Sequence, residues 1–219
     1  PLELTLNLHF ATPTLGAGGQ MKNCIALGWK NRVVISPHIG DLDSPYAVAV
    51  FERLCRELPA LYQIAIQRWV GDAHPGYRSS QWAKRQSHQD TERYASVQHH
   101  RAHASALYGE HCLTQGAVTA RRDWLCLCWD GVGLGDDQTL WGGESFIGRP
   151  GAWRRFATLK PLRPVGGDRV ARQPWRSAYA VAWQADLPIP HPQHAPEELS
   201  LLRQAWQRGI NAPATHAVG

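Results

Sequence analysis

The chain has 219 residues, of which 43% are hydrophobic and 19% charged, a balance typical of a folded globular protein. It has no apolar run of about 18 residues and no signal-peptide pattern. These features exclude a predicted membrane span. The sequence therefore predicts a cytoplasmic protein with no membrane partner.

The formal net charge is +5, and the 23 lysine and arginine residues are scattered along the chain rather than gathered into a basic tract. Scattered cations indicate a solvated surface, so we expect no nucleic-acid partner. Arginine also binds phosphate in a bidentate manner, which leaves phosphorylated small molecules open as ligands. The five cysteines form no Cys-x-x-Cys pair, so they are predicted to be structural thiols in a reducing compartment.

Residues 1–12 are predicted to be a truncated linker, and a first α/β lobe is predicted over residues 13–120. Its first motif is the glycine-rich turn Leu15–Asn23, which is followed by an apolar strand. Such a turn can present backbone N–H groups and the Lys22 cation to phosphate, with Asn23 at the same junction. Many hairpins share this pattern, and the alternative interpretation of Lys22 is a solvated charge.

The rest of the first lobe alternates between apolar runs and amphipathic stretches, as in α/β layers. A helix capped by Asp43 or Ser44 is predicted to end before Pro59. The other predicted elements are strands at 24–27, 32–36, 64–66, 69–70 and 95–97 and an exposed helix and loop over 79–93.

Three histidines fall within five positions at the start of a further predicted helix. His99 and His103 are four residues apart and therefore about one turn apart on one helical face. Two imidazoles with that spacing can hold one metal ion. The alternative is a helix with two histidines on its polar face. His100 points away at helical spacing and is predicted to be a supporting or surface residue.

A second lobe is predicted over residues 121–219. It opens with a buried strand at 124–129 that ends in Asp130 and a glycine-rich turn, and Asp130 is either a ligand or a turn-forming residue. The strand–turn–strand order of the first lobe is repeated here, which suggests a duplicated fold with a ligand between the two turns. The other predicted elements are strands at 140–147 and 153–159 and helices around 175–183 and from Pro196 onward.

Seven motifs follow one another along the chain. They are Leu15–Asn23, Ser36-x-His38-Ile39-Gly40-Asp41-Leu42, Asp72-x-His74-Pro75-x-Tyr77, Val97-Gln98-His99-His100-x-Ala102-His103, Asp130-Gly131-x-Gly133-x-Gly135, Trp141-Gly142-Gly143-Glu144, and Gly166-Gly167-Asp168 to Pro174-Trp175-Arg176. In this order they resemble the large threonylcarbamoyl-transferase-like domain of the HypF carbamoyltransferase family, which acts in hydrogenase maturation. The resemblance runs from about Leu15 to the C-terminus.

The resemblance implies an α/β, acetate kinase/sugar kinase/Hsp70-like fold of two lobes, the first complete and the second partial, with a nucleotide in the cleft. It implies transfer of a carbamoyl group from carbamoyl-adenylate to the C-terminal cysteine of HypE, for synthesis of the cyanide ligands of nickel–iron hydrogenase. In the full-length family ATP and carbamoyl phosphate are substrates and Mg is a cofactor. The nucleophile comes from HypE, so no catalytic residue is predicted in this chain.

The same resemblance implies metal ligands at His99, His103 and Asp130, with a further aspartate late in the family's sequence. Imidazole and carboxylate ligands suit iron or zinc. Arg172 and His74 also have alternative interpretations without a ligand. Arg172 can be a solvated surface charge, and His74 can be a residue that stabilises a turn. Substrate or phosphate contacts are expected at Lys22, Asn23, His74, Gly131, Gly133 and Arg172.

Two motifs depart from the family pattern. Glutamine stands at 173 where the family has glutamate in Arg-Glu-Pro-Trp-Arg, and Pro37 stands where it has glutamine. The family's upstream domains and the end of its second lobe are not in these residues, so we expect activity of this piece alone to be absent or impaired. Three alternatives stay open: an O-carbamoyltransferase, a tRNA threonylcarbamoyl transferase of the same fold, and a noncatalytic truncated remnant that binds a partner or nucleotide.

Overall fold

The computed structural model describes residues 1–115, 122–189 and 194–218. The chain divides into two compact units. The first comprises Pro1–Trp124 together with Gly148–Trp153, and the second comprises Leu125–Ile147 together with Arg154–Gly219. The division along the chain therefore falls after Trp124, whereas the sequence places it after residue 120.

The first unit is built on a four-stranded sheet with the order β2-β1-β3-β4. Strands β1 (Leu2–Gly16) and β2 (Ala26–Ile35) are antiparallel. Strand β3 (Arg68–Asp72) runs parallel to β1, and β4 (Tyr94–Val97) runs parallel to β3. Parallel neighbours end at the same sheet edge, so β3 and β4 deliver the residues that follow them to one place.

Three helices complete the first unit: α1 (Pro45–Leu61), α2 (Arg78–Gln86) and α3 (His99–Gln115). The predicted cap of α1 is confirmed, because Ser44 Oγ accepts a hydrogen bond from the backbone N–H of Ala47 at 3.1 Å. The apolar face of α1 packs into the core of this unit. The core residues are Leu15, Ala17, Ile25, Leu27, Trp29, Val34, Leu42, Phe51, Cys55, Leu58, Trp82 and Ala83.

Three predictions differ from the observed sheet, and the first is the strand predicted at 64–66, since these residues belong to no strand. The segment predicted as a linker, residues 1–12, forms most of β1, because Leu2 to Thr5 pair with the far end of β2. The two strands predicted at 24–27 and 32–36 belong to the single strand β2, which runs from Ala26 to Ile35. The alternation of apolar and polar residues from Leu2 to Phe10 is a strand signal that the linker prediction missed, whereas the register with β2 depends on a partner distant in the chain.

Two helix predictions also differ. Helix α1 continues through Pro59 to Leu61, with the proline in its last turn. The Pro59 carbonyl accepts a hydrogen bond from the N–H of Ile64 at 2.9 Å, beyond the end of the helix. Helix α2 was expected to be exposed, but one of its faces is buried and includes Trp82, which contacts Phe51 edge-on. A short polar helix can therefore contribute a large ring to the core.

The second unit contains a three-stranded sheet with the order β5-β6-β7. Its strands are β5 (Trp124–Leu134), β6 (Leu140–Gly148) and β7 (Arg154–Thr158). A 3₁₀ helix (Gly167–Arg172) leads to α4 (Trp175–Gln184) and then α5 (Pro196–Gln207). The helices pack around Tyr179 and Trp183. Among the described residues, no helix combines the length and the apolar character needed to cross a membrane.

Strand β5 differs from the prediction in two ways. It is buried on one face only: Cys126 and Cys128 are buried, whereas the alternating Leu125, Leu127 and Trp129 are between 59% and 68% exposed. It also continues through Leu134, so the carboxylate that follows Trp129 lies within the strand and not at its end.

Candidate metal centre

The predicted pair of histidines lies at the start of α3, directly after β4. His99 Nε2 and His103 Nε2 are 3.2 Å apart. Two nitrogen ligands of a tetrahedral zinc ion, each about 2.0–2.1 Å from the metal, lie about 3.3 Å from one another. The helix and its one-turn spacing are confirmed, and the two donor atoms fit a shared metal ion.

The second ring nitrogen of His99 faces a carboxylate. His99 Nδ1 lies 3.2 Å from Asp72 Oδ2, and the Asp72 side chain is only 9% exposed. The other oxygen, Asp72 Oδ1, accepts a hydrogen bond from the backbone N–H of His74 at 2.8 Å. Both carboxylate oxygens are therefore engaged, one by the turn after β3 and one by the candidate ligand.

Asp72 was not among the predicted site residues, although it lies in a quoted motif. The signal that could have found it is its place at the end of strand β3. In neighbouring parallel strands, a polar residue at the end of one strand lies close to the residues that follow the end of the other. Here the register pairs Asp72 with Val97, two residues before His99.

His100 is fully buried, so its interpretation as a surface residue is wrong. Its Nδ1 lies 3.0 Å from Gln98 Nε2. Gln98 also accepts a hydrogen bond at Oε1 from the backbone N–H of Arg101 at 3.1 Å, which caps the first turn of α3. His100 and Gln98 therefore support the start of the histidine helix from inside the core.

The glycine-rich turn is held together by Asn23. This side chain is 1% exposed, and its Nδ2 donates to the carbonyls of Ala17 at 2.9 Å and Gly19 at 2.6 Å. Gly18 has φ +67°, and a Cβ there would lie 2.3 Å from the carbonyl oxygen of Cys24. The turn therefore needs glycine at 18 and the amide at 23 to keep its shape.

Lys22 and His74 are placed differently from Asn23. Lys22 is exposed, and its backbone N–H donates to Asp41 Oδ1 at 2.7 Å. The half-buried His74 ring stacks on Tyr77 with 4.2 Å between centroids, and its Nδ1 accepts from the N–H of Gly76 at 3.1 Å. Acceptance at Nδ1 leaves Nε2 as the protonated nitrogen, a hydrogen-bond donor. Phosphate contact by either residue stays a prediction.

Asp130, Gly131 and Gly133 belong to the second unit and lie within β5. The N–H of Gly131 donates to Asp130 Oδ1 at 2.7 Å. The predicted glycine turn is thus a strand, and the actual turn starts at Gly135, whose N–H donates to the carbonyl of Thr139. The ligand role of Asp130 and the phosphate role of the two glycines stay predictions.

Arg172 ends the 3₁₀ helix and is exposed, and its phosphate contact also stays a prediction. Gln173, which stands where the family has glutamate, forms a hydrogen bond: its Oε1 accepts from Arg176 Nε at 2.7 Å. Arg176 also donates to the carbonyl of Val165 at 3.3 Å. Burial, with the charge of Arg169, lowers the pKa of Arg176 from its ordinary value.

The Trp141–Glu144 motif forms a buried ion pair in the second unit. The Glu144 carboxylate is fully buried, and its Oε2 lies 3.2 Å from Arg155 Nη2. Its Oε1 accepts from the N–H of Gly142 at 3.3 Å, and the Arg155 guanidinium lies 4.3 Å from the centre of the Trp141 ring. This motif therefore has a structural role in holding β6 against β7.

Comparison with known protein families gives matches along nearly the whole chain. A family model described as the HypF Kae1-like domain matches residues 9–110. A second, described as the second subdomain of the carbamoyltransferase Kae1-like domain, matches residues 126–219.

Among curated relatives, the carbamoyltransferase HypF of Synechocystis sp. is 34% identical over 239 residues, which covers 100% of this chain and 30% of the relative. The carbamoyltransferase HypF of Rhodobacter capsulatus is 32% identical, with 100% of this chain and 29% of the relative covered. The chain therefore spans less than a third of the length of these relatives.

Two solved structures are similar in fold. One is a crystal structure of full-length HypF in the phosphate- and nucleotide-bound form, with a TM-score of 0.83 and 25% identity over 100% of this chain and 28% of that chain. The other is HypF of T. kodakarensis, with a TM-score of 0.77 and 19% identity over 100% of this chain and 29% of that one, which shows the shared fold.

The two matched subdomains and these structures define a Kae1-like domain, a member of the acetate kinase/sugar kinase/Hsp70-like class. The predicted fold class is thereby confirmed. Within that class, the chain belongs to the HypF carbamoyltransferase family.

Proposed function

We propose that this chain is the part of a HypF-type carbamoyltransferase that passes the carbamoyl group to HypE. The observation that carries the proposal is the pair of imidazoles at the start of α3, whose Nε2 atoms converge to 3.2 Å. The family's own name supports the transfer of a carbamoyl group. The proposal adds carbamoyl-adenylate as the donor of that group and HypE as its acceptor.

The proposed reaction is a substitution at the carbamoyl carbon of carbamoyl-adenylate. The C-terminal cysteine of HypE loses its thiol proton to solvent, and its sulfur forms a C–S bond with the carbamoyl carbon. The bond from that carbon to the phosphate oxygen breaks, and AMP leaves with the electron pair. Carbamoyl phosphate and ATP would supply the carbamoyl-adenylate, with Mg as cofactor, in domains of the full-length family.

The residues of this chain would bind and orient the donor. An iron or zinc ion held by His99, His103 and Asp130 would supply a Lewis acid that withdraws charge from the adenylate phosphate or the carbamoyl oxygen. We assign phosphate contacts to the cation of Lys22 and the Nε2–H of His74, with Gly131, Gly133 and Arg172 on the second unit. Asn23 would keep the turn that carries Lys22 in shape.

The test supplies the chain with its missing substrate in trans. A HypF relative with alanines at the positions matching His99 and His103 is incubated with ATP, carbon-labelled carbamoyl phosphate, a HypE acceptor and this protein loaded with zinc or iron. We expect label on HypE with the unaltered chain and no label with His99→Ala or His103→Ala.

The control is His9→Ala, which removes an exposed histidine from β1 and should transfer label like the unaltered chain. Equal label on HypE with and without this protein, or no label under any condition, would overturn the proposed transfer. A HypE variant that lacks its C-terminal cysteine should stay unlabelled in every mixture.

A further inference from the structure

We infer that Asp72 is a positioning residue, which fixes the tautomer and the ring orientation of His99 for metal binding. This inference rests on the metal site proposed above and adds to it a residue that does not itself bind the ion. All the contacts that support it lie within the first unit.

The fold brings the carboxylate to the histidine. Strands β3 and β4 are parallel, and Asp72 pairs with Val97 at their shared end. The N–H of Ala73 donates to the carbonyl of Val97 at 2.9 Å, which ties the two strand ends together. Helix α3 then starts at His99. Asp72 and His99 are therefore held on rigid elements, not on loops.

The tight packing behind Asp72 makes this placement rigid. Ser80 Oγ of α2 donates to the carbonyl of Asp72 at 2.8 Å. A Cβ on Gly71 would lie 2.8 Å from Tyr94 Oη and 3.1 Å from Ser80 Cα, so glycine allows α2 to approach β3 closely. The backbone that carries the carboxylate is thus fixed from the strand and the helix side.

The Asp72 carboxylate can act toward His99 only as a hydrogen-bond acceptor. Its Oδ1 accepts from the N–H of His74 at 2.8 Å, which sets the rotation of the carboxyl group. Its Oδ2 then faces His99 Nδ1 at 3.2 Å. An ionised carboxylate has no proton to give, so His99 Nδ1 is the donor and its Nε2 carries the lone pair.

The lone pair points toward the shared site. His99 Nε2 lies 3.2 Å from His103 Nε2, and in the metal-free protein the latter would donate its proton to the former. On metal binding, His103 has to present Nε2 without its proton, whereas His99 is already in the required form. Carboxylates that hold a ligating histidine in this way also raise the basicity of the ligand.

The alternative role of Asp72 is only to form the turn to His74, and two variants separate the two roles. Asp72→Asn keeps an oxygen acceptor and most of the shape but loses the negative charge. Asp72→Ala loses both. A residue that only forms the turn would tolerate asparagine without any effect on metal affinity.

The experiment measures zinc affinity by competition with a chromophoric chelator. We expect Asp72→Ala to weaken zinc binding 10–100-fold, the usual effect of removing such a partner, and Asp72→Asn to fall between Asp72→Ala and the unaltered protein. Asp123→Ala, which removes an exposed carboxylate from the same unit, should bind zinc like the unaltered protein.

A second readout needs no metal. In ¹⁵N NMR spectra of the metal-free protein, His99 should be protonated at Nδ1 in the unaltered chain and in Asp123→Ala, and should lose that preference in Asp72→Ala. Unchanged zinc affinity and unchanged ¹⁵N shifts in both Asp72 variants would overturn the inference. If the unaltered protein bound no zinc while the tautomer still depended on Asp72, the metal site would fall and the positioning of His99 would stand.

Discussion

His99 Nε2 and His103 Nε2 lie 3.2 Å apart, one helical turn from each other at the start of α3. Without metal, one neutral imidazole can donate its Nε2–H to the other across this distance, whereas a metal ion between them would use both lone pairs. The two arrangements differ in whether the protein holds a metal ion, so metal content is the direct measurement.

We expect the purified chain to bind one iron or zinc ion, and His99→Ala and His103→Ala each to lose most of it. Asp130→Asn should weaken binding less, because the amide oxygen can still coordinate the ion, although more weakly than a carboxylate does. Metal analysis after dialysis measures these contents, with His9→Ala as control. Equal metal in all variants would contradict the ligand assignment.

Metal removal should also lower thermal stability, since an ion that binds only the folded protein adds RT ln(1 + [M]/Kd) to the free energy of unfolding. We expect a chelator to lower the melting temperature of the unaltered chain and to leave that of His99→Ala unchanged. A chelator effect of the same size in both would place the bound metal elsewhere.

Lys22 and Asn23 are neighbours with opposite roles in the turn that they share. Asn23→Ala removes the donor of two hydrogen bonds at a buried position, so we expect a loss of about 1–3 kcal/mol in the free energy of unfolding. Lys22→Ala changes an exposed side chain and should stay within about 0.5 kcal/mol. Urea unfolding measures both.

The Lys22→Ala variant also tests the phosphate prediction. Lys22→Ala should weaken the binding of AMP in calorimetric titration while the fold is retained. If Lys22→Ala bound AMP like the unaltered chain, the exposed cation would be a solvated charge and the turn would have no phosphate role through it.

Features that depend on interactions between residues close in the sequence could be predicted, and features that depend on distant residues could not. The Ser44 cap and the start of α3 depend on residues within a few positions, and both are confirmed. The fold class came from the order of whole motifs, which local pattern alone would not have supplied. The burial of His100 was missed because helical spacing gives the direction of a side chain but not what packs over it.

Other features depend on pairing between distant segments. Residues 1–12 carry a strand signal that the linker prediction leaves unused, the alternation of apolar and polar residues from Leu2 to Phe10, and the pairing with β2 is what the structure adds. Asp72 reaches His99 only because β3 and β4 are parallel and in that register. The local sequence does not determine either register. It can mark Asp72 as a polar residue at a strand end, but the contact with His99 is seen only in the folded chain.

Glu144 and Arg155 provide a stability prediction of a different kind. Arg155→Ala would leave a fully buried carboxylate without its cation, and removal of one partner from a buried pair typically costs about 3–5 kcal/mol. We expect that order of loss in urea unfolding. Glu144→Gln should cost less, since Arg155 also pairs with Asp137 at 2.8 Å. Equal losses in the two variants would argue against a buried charge as the cause.

The last prediction concerns acid stability and Asp137. Burial acts to raise the pKa of this carboxyl, but hydrogen bonds from the side chain and backbone of Thr139 and from Trp141, with the charge of Arg155, outweigh it and lower the pKa to about 2. A carboxyl whose pKa is lower in the folded than in the unfolded chain stabilises the fold above the unfolded value, about 3.9. That stabilisation is lost as the pH falls toward 2.

We therefore expect the free energy of unfolding of the unaltered chain to fall between about pH 4 and pH 2 more steeply than that of Asp137→Asn, which cannot titrate. Above pH 5 the variant should be the less stable protein, because its amide has no charge for Arg155 to pair with. Urea unfolding at a series of pH values measures both slopes.

Asp186→Asn, which changes an exposed carboxylate in the same unit, is the control and should keep the slope of the unaltered chain. Parallel curves for Asp137→Asn and the unaltered chain would mean that the hydrogen bonds to Asp137 do not discriminate between its charged and neutral forms.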